Sequence, residues 1–104
     1  MERVAFKMKL FDGYQDEYLK RHAELWPDLR ALLKETGIEE YSIFLDKETN
    51  DLFGYLQISD RNLLNKISCH PIIKRWWSYM KGIMVTNEDY SPLTIPLQEV
   101  FYLS

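Results

Sequence analysis

The sequence is poor in cysteine, glycine and positive charge, and each shortage excludes a class of protein. A single cysteine, Cys69, cannot form an internal disulfide, so we expect a protein of a reducing compartment, the cytoplasm. Four glycines leave little room for a glycine-rich loop that binds phosphate. The 13 Lys and Arg against 16 Asp and Glu give a net charge of −3 with no basic run, which excludes a nucleic-acid partner.

Long apolar runs are missing as well. Lys or Arg interrupts even the most apolar segment, residues 72–77, so no stretch approaches the roughly 18 residues of a membrane span. The N-terminal residues lack the apolar centre of a signal peptide. We therefore expect no membrane partner, and at this length we expect one domain over residues 1–104.

Residues that could bind metals or act as nucleophiles do not have the spacing of a known metal site or nucleophile motif. One cysteine and two distant histidines, His22 and His70, lack the spacing of metal ligands, so neither a metal site nor a cofactor is expected. No Ser or Cys nucleophile motif occurs, and the carboxylates are scattered without a recognisable glycosidase pair. Cofactor-free acid/base chemistry, or simple binding, is what the residue types leave open.

Aromatic residues, by contrast, are abundant. The chain has 7 Tyr, 5 Phe and 3 Trp, which make up 14% of its residues. A core of this size cannot enclose all of these rings, so some of them should line a pocket or an interface.

The hydrophobic pattern predicts the element order βαββαβ. Alternating residues predict strands at 3–10, 40–46, 52–58 and 97–103. Helical spacing predicts helices at 12–25, at 27–37, after an Asp60 cap, and at 71–81, with Pro27 and Pro71 dividing each pair. Asp12 and Gln15 have the spacing of a capping box, and residues 83–96 are predicted to form a long loop.

This order predicts a ferredoxin-like α+β fold, in which helices cover one face of an antiparallel sheet. The candidates for the other face are aromatic and apolar: Phe44, Phe53, Tyr55, Val100 and Tyr102. That is too much apolar surface to leave in water. We therefore expect two sheets to pair across a two-fold axis, giving a homodimer of the dimeric α+β barrel type.

On the first predicted helix Tyr14, Tyr18 and His22 recur every four residues and share one stripe. The spacing alone favours packing of the tyrosines on the sheet over chemistry. His22 is still the best acid/base candidate, because an unperturbed pKa of about 6.5 makes both protonation states accessible near neutrality. His70, at a helix break before Pro71, is expected to serve the local backbone.

Trp76 and Trp77 belong to a helical stripe with Ile73 and Met80, which is typical of a core. Neighbours on a helix lie about 100° apart, so both indoles cannot point straight inward. One of them is expected at the edge of a cavity or in an interface. Arg21 is expected mainly to solvate its helix.

Four stretches, taken in order, give the whole chain a resemblance to a known family. They are Tyr18-Leu19-Lys20-Arg21-His22 with Leu25-Trp26-Pro27, then Tyr41-Ser42-Ile43-Phe44-Leu45-Asp46, Arg75-Trp76-Trp77-Ser78-Tyr79-Met80 and Leu97-Gln98-Glu99-Val100-Phe101-Tyr102-Leu103. The last two are specific. On these residues the sequence resembles the L-rhamnose mutarotase family over essentially its full length.

The resemblance implies a dimeric ferredoxin-like isomerase that interconverts the α and β anomers of L-rhamnose without a cofactor. It implies that His22 is the proton donor and that the sugar is contacted by Tyr18, Tyr41, Trp76 and Trp77. The chain departs from the family pattern Asn-x-Asp-Asn-Ser-Pro in the predicted loop, where Tyr90 stands in place of the second Asn.

Mutarotation needs one proton delivered to the ring oxygen and another removed from the anomeric hydroxyl. Asp89, Glu99 or a water held by Tyr41 could be the base, and the sequence does not choose among them. Two other functions fit the same fold at this point, a cofactor-independent monooxygenase and a small-ligand-binding module.

Overall fold

A computed structural model describes residues 1–104, which form four strands and four helices. The strands are β1 (Glu2–Lys9), β2 (Ile38–Leu45), β3 (Asp51–Ile58) and β4 (Ile95–Leu97). The helices are α1 (Gln15–Ala23), α2 (Pro27–Glu35), α3 (Leu64–Ser68) and α4 (Pro71–Met80), with a 3₁₀ turn at Arg61–Leu63. The predicted order βαββαβ, with each helical region divided by a proline, is confirmed.

The four strands form one antiparallel sheet in the order β2-β3-β1-β4. Strand alternation sends Met8, Leu52 and Leu56 into the core, where they pack with residues of all four helices. On the opposite face Phe44 and Phe53 stay exposed. Helices therefore cover one face only, which confirms the ferredoxin-like α+β fold.

Pro27 and Pro71 are the first residues of α2 and α4, where a proline loses no helical hydrogen bond. His70 precedes Pro71 as the N-cap of α4, and its Nδ1 accepts a hydrogen bond from the amide of Ile72 at 3.1 Å. The predicted backbone role of His70 is confirmed. None of the helices is long and apolar enough to cross a bilayer.

The predicted capping box at Asp12 and Gln15 is wrong. Gly13, with φ of 86°, turns the chain before α1, and the N-cap Tyr14 makes no side-chain cap. Both predicted capping side chains instead bind the β2–β3 turn. The Asp12 carboxylate accepts from the Asn50 amide at 3.0 Å, and the Gln15 amide donates to Asn50 Oδ1 at 2.8 Å.

The predicted strand at 97–103 is also wrong in its extent. β4 ends at Leu97, after pairing with Ala5–Lys7 of β1. Residues 98–104 alternate like a strand but find no backbone partner in this chain, and side chains hold them instead. Glu99 accepts two hydrogen bonds from Arg3, at 2.7 and 2.8 Å, and the guanidinium carbon of Arg3 lies 3.6 Å from the centre of the Tyr102 ring.

Gly54 sits in the middle of β3, directly opposite Phe6 of β1. The Phe6 ring lies over the glycine, so a Cβ at position 54 would collide with it. The same ring meets Tyr41 of β2 edge to face, with the ring centres 6.3 Å apart. The glycine thus leaves space for the Phe6 ring on the sheet beside Tyr41.

Candidate active site

A cavity of about 670 Å³ lies between the helices and the inner face of the sheet. This volume is within the range of about 300 to 1,000 Å³ usual for small-molecule sites. Sixteen of its 21 lining residues are hydrophobic. α1 and α4 form one side of the cavity, β2 and β3 form the other, and the segment between α4 and β4 contributes Tyr90 and Pro92.

All five residues singled out from the sequence line this cavity. They are Tyr18, His22, Tyr41, Trp76 and Trp77. Three elements distant in sequence supply them, α1, β2 and α4. Tyr14 is absent from the lining although it shares the four-residue spacing of Tyr18 and His22, because it lies in the turn before α1.

His22 is fixed by its own helix and by two aromatic neighbours. Its Nδ1 lies 3.0 Å from the carbonyl oxygen of Tyr18, one turn earlier, and that oxygen can only accept, so Nδ1 carries a hydrogen. The Tyr18 ring stacks on the imidazole at 4.2 Å, and Trp76 meets it edge to face at 5.4 Å. Nε2 is left as the nitrogen that can exchange a proton with a ligand.

Burial changes the acidity of three of these groups. It lowers the pKa of His22, an effect that the hydrogen bond to the Tyr18 carbonyl partly opposes. Burial raises the pKa of Tyr18 well above its usual range, and the neighbouring Tyr41 adds to this effect. Desolvation also raises the pKa of Tyr41, to about 12. Both phenols are therefore neutral hydrogen-bonding groups at physiological pH.

The two tryptophans have different surroundings. Trp76 is buried and packs against Trp26 and Tyr79, with ring centres 5.0 and 5.6 Å away. Trp77 is only half-buried and borders the cavity from the next position of α4. The sequence argument that the two indoles must differ is confirmed, although both of them reach the cavity.

Arg21 does more than solvate its helix, contrary to our expectation. Its guanidinium pairs with Glu17 at 2.6 Å and donates to the carbonyl oxygen of Tyr79 at 2.7 Å. It also lies 4.2 Å from the centre of the Tyr79 ring. Arg21 therefore ties α1 to the last turn of α4, across the two helices that bring His22 and Trp76 together.

Neither carboxylate considered as a base lies in the cavity. Asp89 accepts hydrogen bonds from Ser91 within its own loop, and Glu99 is paired with Arg3. Hydrogen bonds from these partners lower the pKa of each carboxyl. The carboxylate in the cavity lining is Asp16, which is exposed.

Among the polar and aromatic residues of the lining, four were not selected from the sequence: Gln15, Asp16, Lys47 and Tyr90. Gln15 precedes His22 by seven residues and so shares its helical face, a signal that the capping-box interpretation obscured. Its amide donates to the carbonyl oxygen of Lys47 at 3.1 Å as well as to Asn50, which fixes its orientation. No group of three or more His, Cys, Asp and Glu side chains is arranged as metal ligands.

Comparison of the sequence with known protein families and with curated proteins identifies relatives over the full length of the chain. A family model described as L-rhamnose mutarotase matches residues 3–103. An L-rhamnose mutarotase of Formosa agariphila is 50% identical over 103 residues, covering 99% of each chain. One from Bacteroides thetaiotaomicron is 48% identical over 103 residues, with 99% of each chain covered, and one from Listeria monocytogenes is 47% identical over the full length of both.

Solved structures agree. The crystal structure of an L-rhamnose mutarotase from Formosa agariphila superposes with a TM-score of 0.93 at 48% identity, covering all of both chains. An antibiotic biosynthesis monooxygenase superposes with a TM-score of 0.64 at 15% identity, covering 96% of this chain and 99% of that one. The second likeness extends to the fold alone. The full-length matches show that this chain belongs to the L-rhamnose mutarotase family.

Proposed function

We propose that this protein is an isomerase that interconverts the α and β anomers of L-rhamnose by acid/base-assisted ring opening and reclosure. The observation that carries the proposal is the position of His22. It lies in an aromatic cavity of small-molecule size, with Nδ1 engaged by the Tyr18 carbonyl and Nε2 free. Full-length membership of the L-rhamnose mutarotase family supplies the sugar.

Ring opening and reclosure need a general acid that donates a proton to the ring oxygen and later accepts it again. In the imidazolium form, Nε2–H of His22 protonates the ring oxygen as the bond between that oxygen and the anomeric carbon breaks. A base removes the proton of the anomeric hydroxyl, and the open aldehyde forms. After the aldehyde rotates, the former ring oxygen attacks its other face and returns its proton to the neutral Nε2. At the same time the protonated base returns its proton to the aldehyde oxygen, which becomes the new anomeric hydroxyl. The lowered pKa makes the imidazolium a stronger acid, although a minor form at neutral pH.

The other proposed sugar contacts are Tyr18, Tyr41, Trp76 and Trp77. The two tyrosines are neutral, so they orient sugar hydroxyls through hydrogen bonds rather than remove protons. Asp89 and Glu99 lie outside the cavity lining, and Asp16, the carboxylate within the lining, is exposed to solvent, so we propose that the base is a water held by Tyr41. The half-buried Trp77 offers an apolar wall to the carbon skeleton of the sugar.

The decisive experiment measures exchange between the anomeric protons of L-rhamnose by saturation-transfer NMR. The substitution His22→Asn removes the titratable imidazole proton while keeping a planar polar side chain. We expect kcat/KM to fall by roughly a hundredfold or more, as is usual for loss of a general acid. The thermal unfolding temperature should stay close to that of the unmodified protein.

The matched control is His70→Asn, which alters the other histidine, outside the cavity, and keeps a good N-cap residue on α4. Its exchange rate should equal that of the unmodified protein. Near-normal exchange in folded His22→Asn would remove His22 from the mechanism. Absence of exchange in the unmodified protein would refute the function itself.

We also propose that residues 1–104 act as one domain, in the cytoplasm, and as a homodimer without nucleic-acid or membrane partners. The exposed sheet face and the unpaired C-terminal residues support the dimer, because Phe44, Val100, Phe101 and Leu103 are each at least 65% exposed in one chain. A second copy, placed sheet to sheet, would cover them. The single cysteine and the net charge of −3 support the compartment and the absence of nucleic acid.

A further inference from the structure

Tyr90 has a backbone conformation that tyrosine rarely adopts. Its φ is 70°, in the left-handed region, and among the residues other than glycine only Asn50 shares it. Asparagine tolerates this region, whereas a bulky side chain there is a genuine outlier. Such outliers persist only where the surrounding structure imposes them, and they concentrate at functional sites.

The loop itself imposes the conformation. The amide of Asn87 donates to the carbonyl oxygen of Ser91 at 2.8 Å, and the amide of Tyr90 donates back to the carbonyl oxygen of Asn87 at 3.0 Å. The Asn87 side chain donates to Ser91 Oγ at 3.0 Å, and Asp89 accepts from the Ser91 amide at 3.0 Å. Residues on both sides of Tyr90 thus close a tight turn around it.

The turn puts the Tyr90 side chain on the wall of the cavity that contains His22, together with Pro92. Lys81 Nζ lies 4.1 Å from the centre of the Tyr90 ring, so a cation–π contact holds the ring in place. Tyr90 as a residue is still 43% exposed, and it takes no part in the hydrophobic core. Core packing therefore does not account for the strained position.

We propose that Tyr90 is a substrate-binding residue whose aromatic ring packs on the apolar C–H surface of the sugar. This inference rests on the proposed function. A pyranose presents carbon-bound hydrogens on its faces and hydroxyls around its edge, so a fixed ring beside the cavity buries the faces without competing for the hydroxyls. Asn, which the family pattern has at this position, would relieve the backbone but remove the ring. Lys81 acts through Tyr90 as a positioning residue.

Two substitutions of Tyr90 separate strain from binding. Tyr90→Asn suits the left-handed backbone, so the unfolding temperature should stay the same or rise. Loss of the ring should raise KM for L-rhamnose roughly three- to tenfold, the size expected of one aromatic contact, with kcat within about twofold. Tyr90→Phe keeps the ring, and its KM should remain within about twofold of the original. Anomeric exchange measured over a range of L-rhamnose concentrations gives both constants.

A double-mutant cycle tests the role of Lys81. Lys81→Met should raise KM by a smaller factor in the original background and should have no effect on KM when Tyr90 is already Asn. The matched control for Tyr90→Asn is Tyr14→Asn. Tyr14 is exposed to a similar degree, lies outside the cavity lining, and occupies an N-cap position that suits Asn. Its KM should not change.

Other results would overturn the proposal. An unchanged KM in Tyr90→Asn, in a protein that exchanges anomers normally, would mean that the ring does not bind the sugar. A lowered unfolding temperature in Tyr90→Asn would contradict the argument from strain. Equal losses in Tyr90→Phe and Tyr90→Asn would exclude packing by the ring. If the unmodified protein exchanges no anomers, the proposed function fails, and the role of Tyr90 fails with it.

Discussion

At the scale of single residues, two adjacent tryptophans both line the cavity but differ in how deeply they are buried. Trp76 is 7% exposed and touches three other aromatic side chains, whereas Trp77 is half-buried. Trp76→Ala should lower the free energy of unfolding by about 3 to 5 kcal/mol, as for other core tryptophans. Trp77→Ala should cost less stability and weaken sugar binding more.

Chemical denaturation of both variants, together with sugar titration of the folded fraction, measures both quantities. Each tryptophan serves as the control for the other, since they are equal in size and adjacent on α4. A collapse of stability in Trp77→Ala with intact affinity in the folded fraction would assign Trp77 to the core instead.

His22 makes the stability of the protein depend on pH. Burial lowers its folded-state pKa below about 6.5, the unfolded value, so the unfolded chain binds the proton more tightly. Its contribution to stability is therefore full above pH 6.5 and declines as the pH falls toward the folded pKa. Relative to His22→Asn, the unmodified protein should lose stability as the pH falls from about 6.5 to the folded-state pKa.

NMR titration of the imidazole resonances gives the folded-state pKa directly, with His70→Asn used to assign the signals. Unfolding midpoints in denaturant at several pH values, compared between the unmodified protein and His22→Asn, give the linked change in stability. A difference that does not vary with pH would show that the imidazole is not desolvated.

At the scale of elements, the start of α4 depends on one hydrogen bond. His70 Nδ1 accepts from the Ile72 amide, one of the donors that a helix leaves unsatisfied at its N-terminus. His70→Ala should lower the free energy of unfolding by about 1 kcal/mol, whereas His70→Asn should restore most of it. Thermal unfolding of the two variants measures this, and equal stabilities would mean that the cap contributes nothing.

Local sequence signals predicted some elements well and misplaced others. A proline acts on its own backbone and on its immediate neighbours, so the helix starts at Pro27 and Pro71 could be predicted from the sequence. The alternation of apolar residues likewise predicted β3. Asp12 and Gln15 have the spacing of a capping box, but Asn50, some 35 positions away, binds both of them. Residues 98–104 have the alternation of a strand, but no partner strand in the chain pairs with them.

The same division applies to the cavity. Helical spacing selected His22 as the acid/base candidate, whereas Tyr18, Tyr41, Trp76 and Trp77 were selected through the family resemblance. Tyr90 reaches the cavity through loop geometry alone, which leaves no periodic pattern in the sequence. The base could not be located either, because the positions of Asp89 and Glu99 depend on long-range folding.

At the scale of the whole molecule, the uncovered sheet face should be buried between two copies. Phe44 lies on this face in the edge strand β2 and is 65% exposed. Phe44→Glu would place a charge in a sheet-to-sheet interface. The measured mass should therefore fall from that of a dimer to that of a monomer. Light scattering coupled to size-exclusion chromatography measures the mass.

The matched control is Ala31→Glu, which puts the same charge on an exposed position of α2, on the helical side of the sheet. It should leave the mass unchanged. A single-chain mass for the unmodified protein would refute the dimer, while a dimer that survives Phe44→Glu would place the contact on another surface.

Gly54 gives the cavity part of its shape although it does not line it. The space above this glycine holds the Phe6 ring, and Phe6 in turn abuts Tyr41 on the cavity wall. A side chain at position 54 would force the Phe6 ring to move, and because that ring contacts Tyr41, the added volume would affect the cavity wall. Substitutions at positions 6 and 54 are therefore coupled through volume, and a pair of them could change the size of the cavity without replacing any residue that lines it.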